Sequence, residues 1–223
     1  LDGKIYFVGG YDVSAKNIAE RYDPATNQWE ILTSMSVGRS IHAAATLNGK
    51  LYAIGGAGLA SVEIFDPQTG QWTTGTALPS VVQYGTAITV GGKILLIGGR
   101  NSSEQNLNQV LELDAVTNQW SQKTPMPTAR RSVKLVLLNA RVWAIGGNSG
   151  GNNYAAASNK VEIYDPATDT WITGPSLQIA RHHTTAWVAN GRIYVGGGHD
   201  ASARLSSIEV YDPATNQWTI SGS

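Results

Sequence analysis

The sequence predicts an all-β fold in which one four-stranded antiparallel sheet recurs along the chain. Three observations carry that reading. Gly-Gly pairs end an apolar run at Gly9-Gly10, Gly55-Gly56, Gly98-Gly99, Gly146-Gly147 and Gly196-Gly197, at spacings of 46, 43, 48 and 50 residues. A turn and then a Trp follow each pair, at Trp29, Trp72, Trp120, Trp171 and Trp218, most plainly as "RYDPATNQW" at 21–29 and "YDPATNQW" at 211–218. With 25 Gly and 14% charged residues, the composition is that of short strands joined by many turns. A fixed period of this length implies a solenoid, an array or a propeller.

The copy at residues 38–78 shows each element in order. "SIHAAATL" reads as strand a. "NGK" is a two-residue hairpin signal leading into "LYAIGG", strand b, whose nearly unbroken apolar run suits burial on both faces. "SVEIFD" alternates polar and apolar as strand c, and "PQTG" turns the chain into "QWTTGT", strand d. No helix signal interrupts the pattern. One meander has two faces and cannot hide both, so identical sheets must pack face to face around an axis or in a row. A Trp on the outer strand covers about 200 Å² of the neighbouring sheet, a gross gain of about 5 kcal/mol per copy. The copies fall at 1–34, 35–78, 79–126, 127–176 and 177–223, within one domain.

These parts resemble the kelch repeat family of β-propellers over essentially the whole chain. The residues that carry the resemblance are Arg and His near the start of strand a, "GKIYFVGG", "YDPATNQW" and a period near 47. The third copy departs from the pattern, with Leu113-Asp114-Ala115 in place of Tyr-Asp-Pro and Leu95 for the strand b aromatic, so its blade is expected to be the least regular. The first copy opens at strand b, leaving five b, c and d strands but four a strands. In the family the C-terminal segment commonly supplies the missing inner strand. The expectation is a longer protein with a sixth blade or a closing strand; the alternatives are a compact five-bladed ring and closure by a second copy through the unpaired inner edge.

Bulk properties exclude several classes. Lys plus Arg and Asp plus Glu both number 16, so no global field draws the chain to nucleic acid. No apolar run is long enough to span a bilayer. With no Cys there is no disulfide, thiolate metal site or cysteine nucleophile, and the copper oxidases that the family includes need a cysteine cross-linked to tyrosine. No cofactor and no metal are expected. His182 and His183 are adjacent in an incipient strand and are expected to face opposite ways.

Antiparallel order places the short a–b and c–d turns on one face of the propeller. The other face carries the loops that vary: "YDVSAKN", "AGLA", "RNSSEQNLN", "NSGGNNYAAASN" and "HDASARLSS" after strand b, and "SMSVGRS", "LPSVVQYG", "PMPTARRS" and "SLQIARHH" before strand a. Variable loops on a rigid scaffold are where binding concentrates. Arg39, Arg130 and Arg181 share one repeat position near the channel mouth, with Val82 in the copy between. A ring of guanidiniums there suits carboxylates; the alternative is that a repeated Arg bonds loop carbonyls as part of blade design. Arg131 breaks the repeat. Tyr11, Tyr84, Arg100, Tyr154, His182 and Arg204 complete the candidate ligand-binding set. The repeated Asp23, Asp66, Asp165 and Asp212 are turn caps rather than catalytic acids.

The leading functional reading is a non-catalytic interaction module that presents one propeller face to a protein or peptide partner, acidic if the arginines do the binding. A carbohydrate-handling propeller, sugar-binding or similar to the sialic acid mutarotases, is the first alternative, with Tyr11, Tyr84 and Tyr154 stacking on sugar rings. A purely structural propeller of a larger extracellular protein is the second. The "DPATNQW" repeats and low Lys content resemble bacterial extracytoplasmic members of the family.

Overall fold

Five antiparallel sheets of three or four strands follow one another in the computed structural model, which describes residues 1–150 and 156–222; a two-stranded ribbon, Tyr11–Asp12 with Ser14–Ala15, forms a further small sheet in the first b–c loop. The first has three strands, Ile5–Val8, Ala19–Asp23 and Gln28–Ile31. The second runs Ala43–Leu47, Lys50–Gly56, Leu59–Asp66 and Gln71–Gly75. The third runs Thr86–Val90, Lys93–Ile97, Val110–Asp114 and Gln119–Lys123. The fourth runs Lys134–Leu138, Arg141–Ile145, Val161–Asp165 and Thr170–Thr173. The fifth runs Thr185–Ala189, Arg192–Gly196, Ile208–Asp212 and Gln217–Ile220. Each sheet is a meander in chain order, and the described residues contain no helix. This is the predicted propeller architecture, with the first blade lacking its inner strand.

Local chemistry sets the turns. Asn48 at φ 50° and Gly49 at φ 73° form the tight a–b turn of the second blade, the left-handed pair such a hairpin requires. In the c–d turns, the carboxylates of Asp23, Asp66, Asp114, Asp165 and Asp212 each accept the backbone N–H two residues on, at 2.8 to 3.0 Å. The third blade caps its turn in this way without the Pro, and its strands pair in unbroken register. The expected irregularity is absent there; the register shift lies in the second blade, between Ile54 and Gly56.

Between blades the contacts repeat as well. Trp72, Trp120, Trp171 and Trp218 each donate from Nε1 to a carbonyl of the preceding copy (Thr33, Thr76, Thr124 and Pro175) at 2.7 to 2.9 Å. Apolar clusters fill the interfaces: Ile54 and Val62 pack with Ile94 and Leu96, and Ile145 and Val161 with Ile193 and Val195. Trp29 is the exception to its expected anchoring role. It is 59% exposed, because the described residues place no sheet on that side of the first blade.

The glycine pairs have a geometric cause. A Cβ on Gly9, Gly55 or Gly146 would stand 2.5 to 2.7 Å from the carbonyl oxygen of Arg39, Val82 or Arg181 in the next blade. Strand b thus ends where the following blade's loop crosses it. The register of the fifth copy needs correcting. Thr185 pairs with Gly196 as Lys134 pairs with Ile145, so the pair that matches Gly146-Gly147 is Gly197-Gly198, not Gly196-Gly197.

Candidate functional site

Strand a begins later than the sequence suggests, because the residue two before it turns left-handed. Ile41, Tyr84, Ser132 and His183 occupy this position, at φ 51°, 54°, 53° and 50°. An extended strand cannot continue through that dihedral. The turns are stitched around the axis, Tyr84 N–H donating to the Ile41 carbonyl at 2.8 Å and Ser132 N–H to the Tyr84 carbonyl at 2.9 Å. The b–c loops join them: Gln83 bridges to Arg100, Arg131 to Asn148 and His182 to His199. The loop face is therefore ordered at its centre.

Arg39, Arg130 and Arg181 do not form an exposed ring. All three are 0% exposed and lie inside their own blades. The Arg39 guanidinium donates to the carbonyls of Gly55 and Ser61 at 2.9 and 2.8 Å and meets Glu63 at 3.0 Å. Arg181 repeats the arrangement with Gly197, Ser207 and Glu209 at 3.0, 3.1 and 2.9 Å, and Arg130 does so with Gly146, Lys160 and Glu162. Each arginine ties the end of strand b to strand c. The third blade replaces both partners together, with Val82 and Leu111 packed in one apolar cluster. This placement is that of the blade-design alternative.

Other candidates do come together. The Tyr84 ring has the guanidiniums of Arg100 and Arg131 at 5.4 and 5.7 Å from its centroid, cation–π distances. The His183 ring meets it edge-on at 6.0 Å. His182 stacks on His199 at 5.8 Å. The expectation that His182 and His183 face opposite ways fails: their Nδ1 atoms are 2.5 Å apart, because His183 is left-handed rather than extended. Burial, together with the charges of His182, Lys134 and Arg131, lowers the His183 pKa to about 4. Tyr11 is exposed beside a second cavity of about 400 Å³, which Ser40, Ile41 and Tyr84 also line. Arg204 is exposed, and its backbone bridges to His199. Tyr154 lies outside the described residues. Asp200 caps its own loop, accepting from Ser202 N and Ala203 N at 2.6 and 2.7 Å. Among the described residues no group of three or more His, Cys, Asp or Glu is placed to hold a metal ion.

The left-handed turns surround an axial cavity of about 420 Å³ lined by His42, Tyr84, Thr86, Ser132, Lys134 and His183, with no carboxylate in the lining. Such a set offers a cation and hydrogen-bond donors, the chemistry that receives an anion. Sequence reasoning missed Lys134, His42 and Ser132. A signal was present for Lys134. Aligned from the left-handed residue, the position two residues on is Ala43, Thr86, Lys134 and Thr185, three small side chains and one ammonium.

Comparison with known proteins agrees with the architecture. Residues 1–176 match the KLHDC2/KLHL20/DRC7 Kelch-repeats domain, and residues 180–223 match the Kelch motif. The chain is 28% identical over 218 residues to Kelch-like protein terF of Aspergillus terreus, aligning 88% of this chain and 48% of that one. It is 28% identical over 198 residues to Kelch-like protein 35 of Mus musculus (88% and 25%), and 27% identical over 213 residues to Beta-scruin of Limulus polyphemus (86% and 23%). It thus spans between about a quarter and half the length of these relatives. The solved "Structure of YjhT" superposes with a TM-score of 0.83 at 18% identity, covering 100% of this chain and 82% of that one, a likeness of fold.

Proposed function

The chain belongs to the kelch-repeat family, and from that premise we propose that it is a non-catalytic interaction propeller whose loop face receives an acidic segment of a protein partner. The observation that carries this reading is the centre of that face. Tyr84, with Arg100 and the buried Arg131 at cation–π distance, supplies an aromatic surface on a backbone stitched between blades, and Arg100, 3.9 Å from Glu104, supplies the positive charge nearest the surface. Aromatic and Arg side chains of this kind dominate binding energy at protein interfaces. Relatives named kelch-like support the class of activity without supplying the partner.

The test is to pan a random peptide library displayed on phage against the purified chain. The enriched peptides are expected to be rich in Asp and Glu. Their binding should fall at least tenfold in Arg100→Glu and Tyr84→Ser, and hold in Lys50→Glu and Arg141→Glu, which alter the opposite face. Peptides without acidic residues, or loss confined to the opposite-face variants, would overturn the reading.

A sugar ligand is the second reading, favoured by the Tyr11 and Tyr84 rings that line the 400 Å³ cavity. It predicts saturable binding on a glycan array that Tyr11→Ala abolishes.

A further inference from the structure

We propose that the axial cavity is a binding site for a single carboxylate group, with Lys134 as its counter-charge. This deepens the loop-face reading but does not need it, since a free small acid would fill the cavity whether or not a protein docks above.

The argument starts from how this chain treats buried cations. Arg39, Arg130 and Arg181 lie in the blade interior, and each has its own glutamate at 2.8 to 3.0 Å. That is the expected pattern, because an unpaired charge out of water is costly. Lys134 departs from the pattern of these three. It is partly buried, it lines the cavity, and among the described residues no carboxylate meets it. Burial alone holds its ammonium below its ordinary pKa, with no acidic neighbour to raise it again. The same position in the other blades is Ala43, Thr86 or Thr185, so the fold does not require a lysine here.

The rest of the lining is consistent with one negative charge. His42 enters with Nδ1 buried and without a hydrogen-bond partner. Its pKa is lowered to about 4 by burial and by the Arg39 charge, so its ring is neutral at pH 7. The tautomer that leaves Nδ1 as a bare lone pair puts the proton on Nε2. His183 is neutral for similar reasons. Lys134 is therefore the one amine in the lining, set among neutral donors and with no carboxylate beside it, a set suited to a single carboxylate group. Its volume of about 420 Å³ is in the range of small-molecule sites. An aspartate or glutamate side chain reaching in from a partner offers the same chemistry as a free small acid.

The experiment titrates the full chain by calorimetry and by thermal unfolding at pH 7 and constant ionic strength. Sodium chloride is exchanged for sodium acetate or sodium benzoate, with acetamide as the neutral control and sodium phosphate as the dianion. A separate arm uses the blocked peptide acetyl-Gly-Glu-Gly-amide. The expected result is saturable carboxylate binding, weakened at least tenfold in Lys134→Thr, the residue the third and fifth blades carry. Lys134→Met should behave alike and should melt above the wild type in chloride. Saturation by acetate or benzoate identifies a free acid as the ligand; saturation by the peptide alone identifies a partner's side chain. The inference is overturned if no carboxylate saturates, if both lysine variants bind as the wild type does, or if phosphate binds more tightly than the carboxylates. Loss of the panned peptides in Arg100→Glu, with carboxylate binding absent, would sink this inference and leave the loop-face reading standing.

Discussion

The third blade is a natural double mutant of its neighbours, and it makes the energetics of the buried ion pairs testable. Consider Arg130 and Glu162 in the fourth blade, 0% and 6% exposed at their side chains and 2.8 Å apart. Burial pushes the Arg130 guanidinium below its ordinary pKa in spite of Glu162, and its Nε has no hydrogen-bond partner. The cost of desolvation is therefore large beside the attraction. Replacing Glu162 by Leu, the residue at 111, leaves that guanidinium buried without a counter-charge and removes the acceptor of the Thr128 hydroxyl. Breaking a buried pair in this way costs about 3–5 kcal/mol, or roughly 6–20 °C in Tm for a chain of this size. Adding Arg130→Met removes the stranded charge and the orphaned Nε together. The double variant is then expected to recover to within about 2 kcal/mol of the wild type, a coupling of about 2 kcal/mol or more. Urea unfolding of the four proteins measures it. A single Glu162→Leu variant that loses less than about 1 kcal/mol, or a double variant that loses the sum of the singles, would refute the reasoning.

Three other outcomes follow from the geometry. Ala140 sits at φ 60° in the a–b turn where other blades have Gly49, Gly92 or Gly191. Ala140→Gly should raise stability by about 0.5–1 kcal/mol in urea unfolding, the relief of the left-handed conformation exceeding the entropy that Gly adds to the unfolded chain. Gly146→Ala places a Cβ 2.6 Å from the Arg181 carbonyl oxygen, whereas Gly191→Ala meets nothing within 4 Å, and both have positive φ. The first should cost about 2 kcal/mol more than the second, the difference measuring the blade-to-blade contact. His42 should make stability fall as pH drops. Its pKa is 6.5 unfolded and about 4 folded, so the unfolded state binds more protons throughout that window and stability is lost from pH 6.5 down to about 4. The loss from His42 reaches about 3 kcal/mol, and because His183 is lowered to about 4 as well, His42→Gln should make this limb of the Tm–pH curve shallower without abolishing it.

The fold was legible because it is repetitive, and the site was obscure because it is where repetition stops. "NGK" and the Asp of each c–d turn act through their nearest neighbours, so their conformations can be read from a few residues, as Asn48-Gly49 and the five capping carboxylates show. Arg39, Arg130 and Arg181 were harder. Their repetition was visible, but the partners that turn them inward, Glu63, Glu162 and Glu209, lie 24 to 32 residues further on. The pairing was available in one place, where Val82 and Leu111 are exchanged together. A side chain repeated at one position and lost together with another is evidence of a structural pair, whichever loop it occupies. His182 and His183 failed for a different reason. Strand alternation presumes extended backbone, and the left-handed dihedral at 183 reverses the direction of one ring. That dihedral recurs at Ile41, Tyr84 and Ser132, residues of unlike chemistry, none of them a turn-former like Gly or Asn. It is imposed by the hydrogen bonds that join one blade's turn to the next, with Tyr84 N–H on the Ile41 carbonyl and Ser132 N–H on the Tyr84 carbonyl. A conformation held from outside the segment leaves the residue at that position free to vary. The same freedom lets this position line the axial cavity with an aromatic ring, a hydroxyl and an imidazole, while the blades beneath stay alike.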